Sequence, residues 1–161
     1  MTKPILLFGY GNLSRGDDAL GILLLEQIER SANLGLHSID ILSDFQLQIE
    51  HALDLDERAL VLFIDASVAH INAFAFHELT PQKDKSYTTH AMSPDSVLAV
   101  YQDIKKKNPP PCFLLSIKGE SFELGEGLSD NAKEHLKLAT EFAEQLLNNA
   151  TLNNWRQLIT L

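Results

Sequence analysis

The chain has 161 residues, of which 45% are hydrophobic and 22% charged, a composition typical of one folded domain. Its 13 basic and 22 acidic residues give a formal net charge of −9. Because no excess of lysine and arginine is present to replace the counterions of a phosphate backbone, this charge argues against a nucleic-acid partner. The apolar run near the N-terminus is too short for a signal peptide or a membrane span, so we expect a cytoplasmic protein with no membrane association.

Cys112 is the only cysteine, which excludes an internal disulfide and any zinc site built on a cysteine cluster. It stands directly before Phe113, Leu114 and Leu115, a context that predicts a buried strand residue and not a nucleophile. The basic run at 105–107 is interpreted as the solvated end of a helix.

The first half of the chain alternates strand and helix patterns. Residues 5–8 form a continuous apolar run that ends in glycine, as expected for a strand buried on both faces. In chain order there follow a predicted helix at 19–30, a strand at 36–42, a helix at 45–55 with Leu47, Ile49, Ala52 and Leu53 facing inward, and a strand at 59–64.

The second half continues the alternation. A strand is predicted at 71–79, a polar loop at 81–87, a helix capped by Ser93 that runs to about residue 106, a strand at 112–117, and a long helix at 131–147 capped by Ser129. Strands alternating with helices predict a single three-layer α/β domain over residues 1–150, with a mainly parallel five-stranded sheet and helices on both faces. Residues 151–161 form a C-terminal tail, docked or flexible, and we expect it to dock on its own domain.

Ligands of such sheets bind beyond the carboxyl ends of the strands. This rule selects the loop at 9–21, Asp65 at the end of the third strand, and the segment before Ser93. The loop begins like a dinucleotide fingerprint, but Ser14 occupies the place of the third glycine. Asp17 and Asp18 also stand at the helix start, where they would compete with a phosphate. A nucleotide- or phosphate-binding protein is therefore the alternative, supported by Gly9 and Gly11.

The candidate chemistry is a mixed nitrogen and oxygen site. Asp17 is predicted to cap the first helix, which leaves Asp18 less well explained by a structural role. Among six histidines only His90 has a distinctive context, directly ahead of a helix. One imidazole with carboxylates from two other loops suits a transition metal and leaves positions open for water or substrate. No Gly-x-Ser-x-Gly turn and no His-Glu-x-x-His helix is present.

Four stretches in the same order resemble the hydrogenase maturation proteases, which remove a C-terminal extension from the large subunit of nickel-iron hydrogenases. The stretches are Gly-Tyr-Gly-Asn-Leu-x-x-Gly-Asp-Asp-x-x-Gly at 9–21 after an apolar strand, the strand ending in Asp-Ala at 61–66, His90 with Ser93 and Pro94, and the glycine-rich loop at 119–129. Together they span most of the chain.

The resemblance implies a nickel-dependent endopeptidase whose metal contacts and catalytic residues are Asp18, Asp65 and His90. The nickel is supplied by the substrate, the precursor of a hydrogenase large subunit, and another divalent metal could replace it in vitro. The first contact is often glutamate in the family, and Asp17 is the substitute for Asp18. The family's Asp-Gly-Gly-Thr is replaced here by Asp44-Phe45-Gln46-Leu47, which predicts a different substrate-facing surface. We expect a monomer or weak oligomer.

The resemblance leaves the role of the metal open. Nickel could polarise the scissile amide or activate water. Alternatively it is only a recognition element, and a carboxylate such as Asp18 or Asp65 activates the water. A non-catalytic metal-binding maturation factor would use the same ligands without cutting the precursor.

Overall fold

Five strands of the computed structural model, which describes residues 2–31, 34–69, 72–83 and 92–160, form one sheet. The strands are β1 Ile5–Tyr10, β2 Ile39–Asp44, β3 Leu60–Ser67, β4 Phe74–Glu78 and β5 Cys112–Lys118. Their order is β2-β1-β3-β5-β4, and all neighbours are parallel except β4 and β5. The chain passes from β1 to β2 on one side and later to β3 on the other, so strand order reverses at β1.

Helices cover both faces of this sheet. They are α1 Leu20–Glu29, α2 Pro94–Lys105, α3 Asp130–Asn148 and α4 Leu152–Gln157. The α1, α3 and α4 helices pack with one core, and α2 packs with the other beside the 3-10 helix Ile49–Leu55. Leu7 belongs to the first core, whereas Leu6 and Phe8 belong to the second, as the apolar run predicts. The predicted α/β fold is confirmed. No helix in the described ranges combines the length and the apolar character needed to cross a membrane.

The two predicted helix starts are confirmed by their capping bonds. Ser93 Oγ accepts a hydrogen bond from the Ser96 N–H at 3.2 Å, and Ser129 Oγ accepts one from the Ala132 N–H at 3.3 Å. Pro94 fills the first helical position of α2, where its missing N–H costs no hydrogen bond. These caps place the beginnings of α2 and α3 at the carboxyl edge of the sheet.

The segment between β2 and β3 differs from the prediction. A helix at 45–55 was expected, but only Ile49–Leu55 is helical, and it is a 3-10 helix. Leu47 and Ala52 are buried as predicted, whereas Ile49 and Leu53 are 53% and 54% exposed. Ala52 and Leu55 are three residues apart and therefore lie on the same face of the 3-10 helix, which has three residues per turn. His51 and Leu55 are buried instead.

Other boundaries shift by a few residues. The predicted strand at 36–42 begins only at Ile39, because Leu36–Ser38 forms a 3-10 turn. β3 continues to Ser67, so Asp65 lies in the last part of the strand and not after it. Residue 71 of the predicted fourth strand, residues 84–87 of the predicted polar loop and His90 lie outside the described residues.

The C-terminal tail packs against the edge strand β4 and the core beneath it. Trp155 is fully buried, and its Nε1–H donates to the Leu146 carbonyl at 2.9 Å. Its ring meets Phe113 and Phe76 edge-on, with centroids 5.3 and 6.3 Å away. Further along, the Thr160 N–H donates to the Phe76 carbonyl at 2.9 Å. The tail therefore supplies core volume and satisfies part of the exposed edge of the sheet.

Replacing Trp155 with alanine is expected to lower the free energy of unfolding by roughly 3–5 kcal/mol, because it removes the largest buried side chain and leaves a cavity. Urea unfolding followed by circular dichroism measures the change. Arg156→Ala is the matched control, since Arg156 makes a solvent-exposed ion pair with Glu78 that contributes little to the free energy of unfolding. Equal stability of the two variants would contradict a structural role for the tail.

Candidate functional site

An open cleft of about 270 Å³ lies where the carboxyl ends of β1, β2 and β3 meet. We call it the acidic cleft, because two aspartates contribute to its lining. The lining residues are Tyr10, Gly11, Asn12, Arg15, Asp18, Phe45, Gln46 and Asp65. The cleft occupies the point at which strand order reverses, where open α/β sheets bind their ligands. Two of the three predicted site residues, Asp18 and Asp65, are thus brought to one cleft.

Asp18 is held against the loop that follows β1. Its Oδ2 accepts a hydrogen bond from the Asn12 N–H at 2.8 Å. Gly11 has a φ of +147°, and a Cβ at this position would lie 2.1 Å from the Asp18 carbonyl oxygen. Only glycine therefore lets the loop approach Asp18 so closely. Since the carboxylate already occupies the Asn12 N–H, the loop geometry argues against a phosphate cradle.

Asp65 is partly buried and unusually basic for a carboxylate. Burial raises its pKa to about 7, and the negative charge of Asp18 acts in the same direction. Hydrogen bonds from the Ala66 N–H, at 2.7 Å, and from the Tyr10 hydroxyl oppose the shift. The pKa of Tyr10 is in turn raised, first by burial and then by the charge of Asp65. A cation placed beside both carboxylates would favour their ionised forms.

His90, the third predicted site residue, lies outside the described residues, so its role stays a prediction. Within the described ranges, no three histidine, cysteine, aspartate or glutamate side chains form a group that could hold a metal ion. On the C-terminal side of the gap, the Met92 N–H donates to the Leu47 carbonyl at 3.2 Å, and Ser93 caps α2. The chain therefore resumes at the carboxyl edge of the sheet, the same edge as the acidic cleft.

Asp17 has a different role from its neighbour. It is fully buried and does not cap its own helix, so that prediction is wrong. Its Oδ2 accepts bonds from the Glu120 N–H, the Ser121 N–H and the Ser129 hydroxyl at 2.7, 3.0 and 2.8 Å. Its Oδ1 accepts the Ser129 N–H at 2.8 Å. Asp17 therefore joins the loop after β1 to the loop at 119–129 and to the start of α3.

Hydrogen bonding also sets the ionisation of Asp17. Burial alone would raise its pKa, but the four hydrogen bonds from Glu120, Ser121 and Ser129 outweigh burial, and the pKa lies below its ordinary value. The buried carboxylate is thus ionised at neutral pH and fully committed to these donors. Asp17 is a structural residue, which leaves Asp18 as the aspartate of this pair that lines the cleft.

A second polar contact, which sequence reasoning missed, joins the buried His51 to the partly exposed Asp44 at the end of β2. His51 Nε2 lies 3.0 Å from Asp44 Oδ2, and Asp44 Oδ1 accepts the Phe45 N–H at 2.6 Å. His51 Nδ1 accepts the Gln48 N–H at 2.8 Å. The sequence gives no local signal for this pair, because the expected continuous helix at 45–55 would not bring the two side chains together in this way.

The fold is that of an α/β domain found in solved hydrogenase maturation endopeptidases. The hydrogenase-maturating endopeptidase HybD from E. coli superimposes with a TM-score of 0.71 at 24% identity, over 91% of this chain and 93% of that chain. The [NiFe] hydrogenase maturation protease HycI from Thermococcus kodakarensis gives 0.66 at 23% identity, over 92% and 94%. At these identities the likeness is one of fold. No protein-family model and no curated protein sequence matches the chain.

Replacing Asp17 with asparagine is expected to lower the free energy of unfolding at pH 7 by roughly 2–4 kcal/mol. Both carboxylate oxygens of Asp17 accept hydrogen bonds, whereas the NH2 group of an amide would face a hydrogen-bond donor and leave it without an acceptor. Chemical denaturation at pH 7 measures the loss. Asp18→Asn is the matched control and is expected to cost no more than about 1 kcal/mol.

The pH dependence provides a second check on Asp17. Its folded-state pKa is lowered, so the stability that it contributes is present above the unfolded-state value of about 3.9 and is lost as the pH falls through the folded-state value. The difference between wild type and Asp17→Asn should therefore narrow under acid conditions. A difference absent at pH 7 would contradict the structural role.

Proposed function

We propose that this protein is an endopeptidase that removes the C-terminal extension of an immature nickel-iron hydrogenase large subunit after nickel insertion. In this proposal, nickel held by the substrate is the recognition element, and Asp18, Asp65 and His90 contact it. The observation that carries the proposal is the pair Asp18 and Asp65, which approach one cleft from two different elements in a fold shared with hydrogenase maturation endopeptidases. The four sequence stretches that resemble this family support it independently.

The donor set suits a metal that arrives with its substrate. Carboxylate oxygens and one imidazole nitrogen can complete the coordination of a nickel ion that the precursor already holds through thiolates. Because the cleft is open, a macromolecular substrate can bring its own ligands to it. Cleavage would then follow metal insertion, since an empty precursor lacks the group that the cleft recognises.

Hydrolysis requires a water oxygen to attack the scissile carbonyl carbon, loss of a proton from that water, and transfer of a proton to the departing amine as the C–N bond breaks. In the first route, a carboxylate of the cleft such as Asp65 accepts the water proton. In the alternative route, the substrate's nickel polarises the carbonyl or activates the water, and the carboxylates hold it in place. The two routes use the same residues.

Single substitutions of the three proposed contacts should stop processing. Asp18→Asn, Asp65→Asn and His90→Ala are each expected to reduce cleavage of the nickel-loaded precursor by about 100-fold or more while the fold is retained. Mass spectrometry of the precursor measures cleavage, and thermal unfolding verifies the fold. Asp103→Asn and His37→Ala are matched controls, because both residues are exposed and lie away from the acidic cleft. Full processing by Asp65→Asn and His90→Ala would refute the site.

Nickel should determine whether the precursor is a substrate at all. Precursor prepared without nickel is expected to remain uncut by the wild-type protein, and loading it with nickel should restore cleavage. The measurement is the mass of the precursor before and after incubation. Equal cleavage of both forms would refute nickel recognition but would support the endopeptidase activity. Binding of the loaded precursor without any change in its mass would indicate a non-catalytic maturation factor instead.

A further inference from the structure

Phe45 exposes a large apolar ring at the edge of the acidic cleft. It follows directly after β2, lines the cleft with Asp18 and Asp65, and is 62% exposed. The cleft otherwise offers mainly polar and charged groups, and the other aromatic residue in its lining, Tyr10, is buried. Aromatic rings supply a large apolar contact area at interfaces, so this ring at the edge of the candidate site is suited to contact an apolar side chain of a partner.

The backbone that carries this ring is fixed by the carboxylate of Asp44. Asp44 Oδ1 accepts the Phe45 N–H at 2.6 Å, and Asp44 Oδ2 lies 3.0 Å from His51 Nε2. The Asp44 carbonyl accepts the Gly11 N–H at 3.2 Å, which joins this turn to the loop that bears Asp18. The residue two positions on, Leu47, is 1% exposed and anchors the segment in the core.

His51 orients Asp44 through a defined tautomer. Its Nδ1 accepts the Gln48 N–H at 2.8 Å, so Nδ1 carries no proton and Nε2 carries it in the neutral ring. Nε2 then donates to Asp44. The ring is only 8% exposed and meets the buried Phe8 ring edge-on, with centroids 4.7 Å apart. A continuous chain of contacts thus runs from the core through His51 and Asp44 to Phe45.

We propose that Phe45 is a specificity-determining residue whose ring forms one wall of a subsite for a non-polar side chain of the substrate, next to the bond that is cut, and that His51 is its positioning residue through the backbone of the turn. This inference rests on the proposed function. The occupant is non-polar because burying apolar surface against the ring is the main gain that this wall offers. Fixing the backbone that carries the ring reduces the conformational entropy that the turn loses when the substrate binds.

The first test compares Phe45→Ala with Ile104→Ala in steady-state cleavage of the nickel-loaded precursor. Ile104 is 50% exposed near the end of α2, at the edge of the sheet opposite the cleft, and is the matched control. Phe45→Ala is expected to raise KM about tenfold with kcat within about twofold, because binding to the wall is the same in the ground state and the transition state. Ile104→Ala should leave both constants unchanged.

The occupant is identified with precursor variants. Serine is placed in turn at each non-polar residue flanking the cleavage point, which mass spectrometry locates. One serine variant should raise KM for the wild-type protein about tenfold and have little further effect with Phe45→Ala, because both changes remove the same contact. If every serine variant raises KM by the same factor for Phe45→Ala as for the wild-type protein, the subsite is refuted.

The role of His51 is tested in the same way. His51→Ala should raise KM in the wild-type background and add little to Phe45→Ala, whereas a general loss of structure would lower kcat and act equally in both backgrounds. Thermal unfolding of each variant separates the two cases. Additive effects of the two substitutions on KM would contradict positioning through Phe45.

The outcomes distinguish this inference from the proposed function. If the wild type cleaves the precursor and Phe45→Ala cleaves it equally well, the wall is refuted and the endopeptidase stands. If the wild type cuts nothing, the dissociation constant for the uncut precursor is compared between wild type and Phe45→Ala. An unchanged dissociation constant then refutes the wall. A dissociation constant about tenfold higher for Phe45→Ala supports the wall, in a maturation factor that binds the precursor without cutting it.

Discussion

The carboxylate of Asp17 connects the first loop of the domain to the last and sets the direction of the residue beside it. Its four hydrogen bonds reach across more than a hundred residues of sequence, to Glu120, Ser121 and Ser129. Because Asp17 points into the domain from the short turn Gly16–Ala19, Asp18 on the same turn lines the acidic cleft. One aspartate of the pair stabilises the loop framework, and this framework positions the other for its proposed role.

Features that depend on local chemistry were predictable from the sequence. The apolar runs predicted β1 and β3. Ser93 and Ser129 predicted the starts of α2 and α3, which they cap. The rule that ligands bind beyond the carboxyl ends of parallel strands brought the loop after β1 and Asp65 together, because it depends only on strand order. For the same reason, the strand order alone places these residues at one edge of the sheet.

Features that depend on distant partners were not predictable. Aspartate at a helix start is ordinarily a cap, and only the return of the chain at 119–129 gives Asp17 its donors. His51 had no distinguishing context, because its contact with Asp44 requires an irregular turn at 45–48 where a continuous helix was expected. In the 3-10 helix that follows, Ile49 is exposed and His51 is buried, the reverse of what the continuous helix predicts for Ile49. Side-chain hydrogen bonds of this kind leave no periodic signal in the sequence.

The electrostatics of the cleft bear on why the metal would come with the substrate. Burial raises the pKa of Asp65 to about 7, so part of the free protein carries this carboxyl in its protonated form near neutral pH, and a cation must compete with that proton. An ion that the precursor already holds would need fewer ligands from the cleft than a free ion, and its charge would favour the ionised carboxylate. A cleft with these properties would discriminate between loaded and empty precursors without extracting the metal from the loaded one.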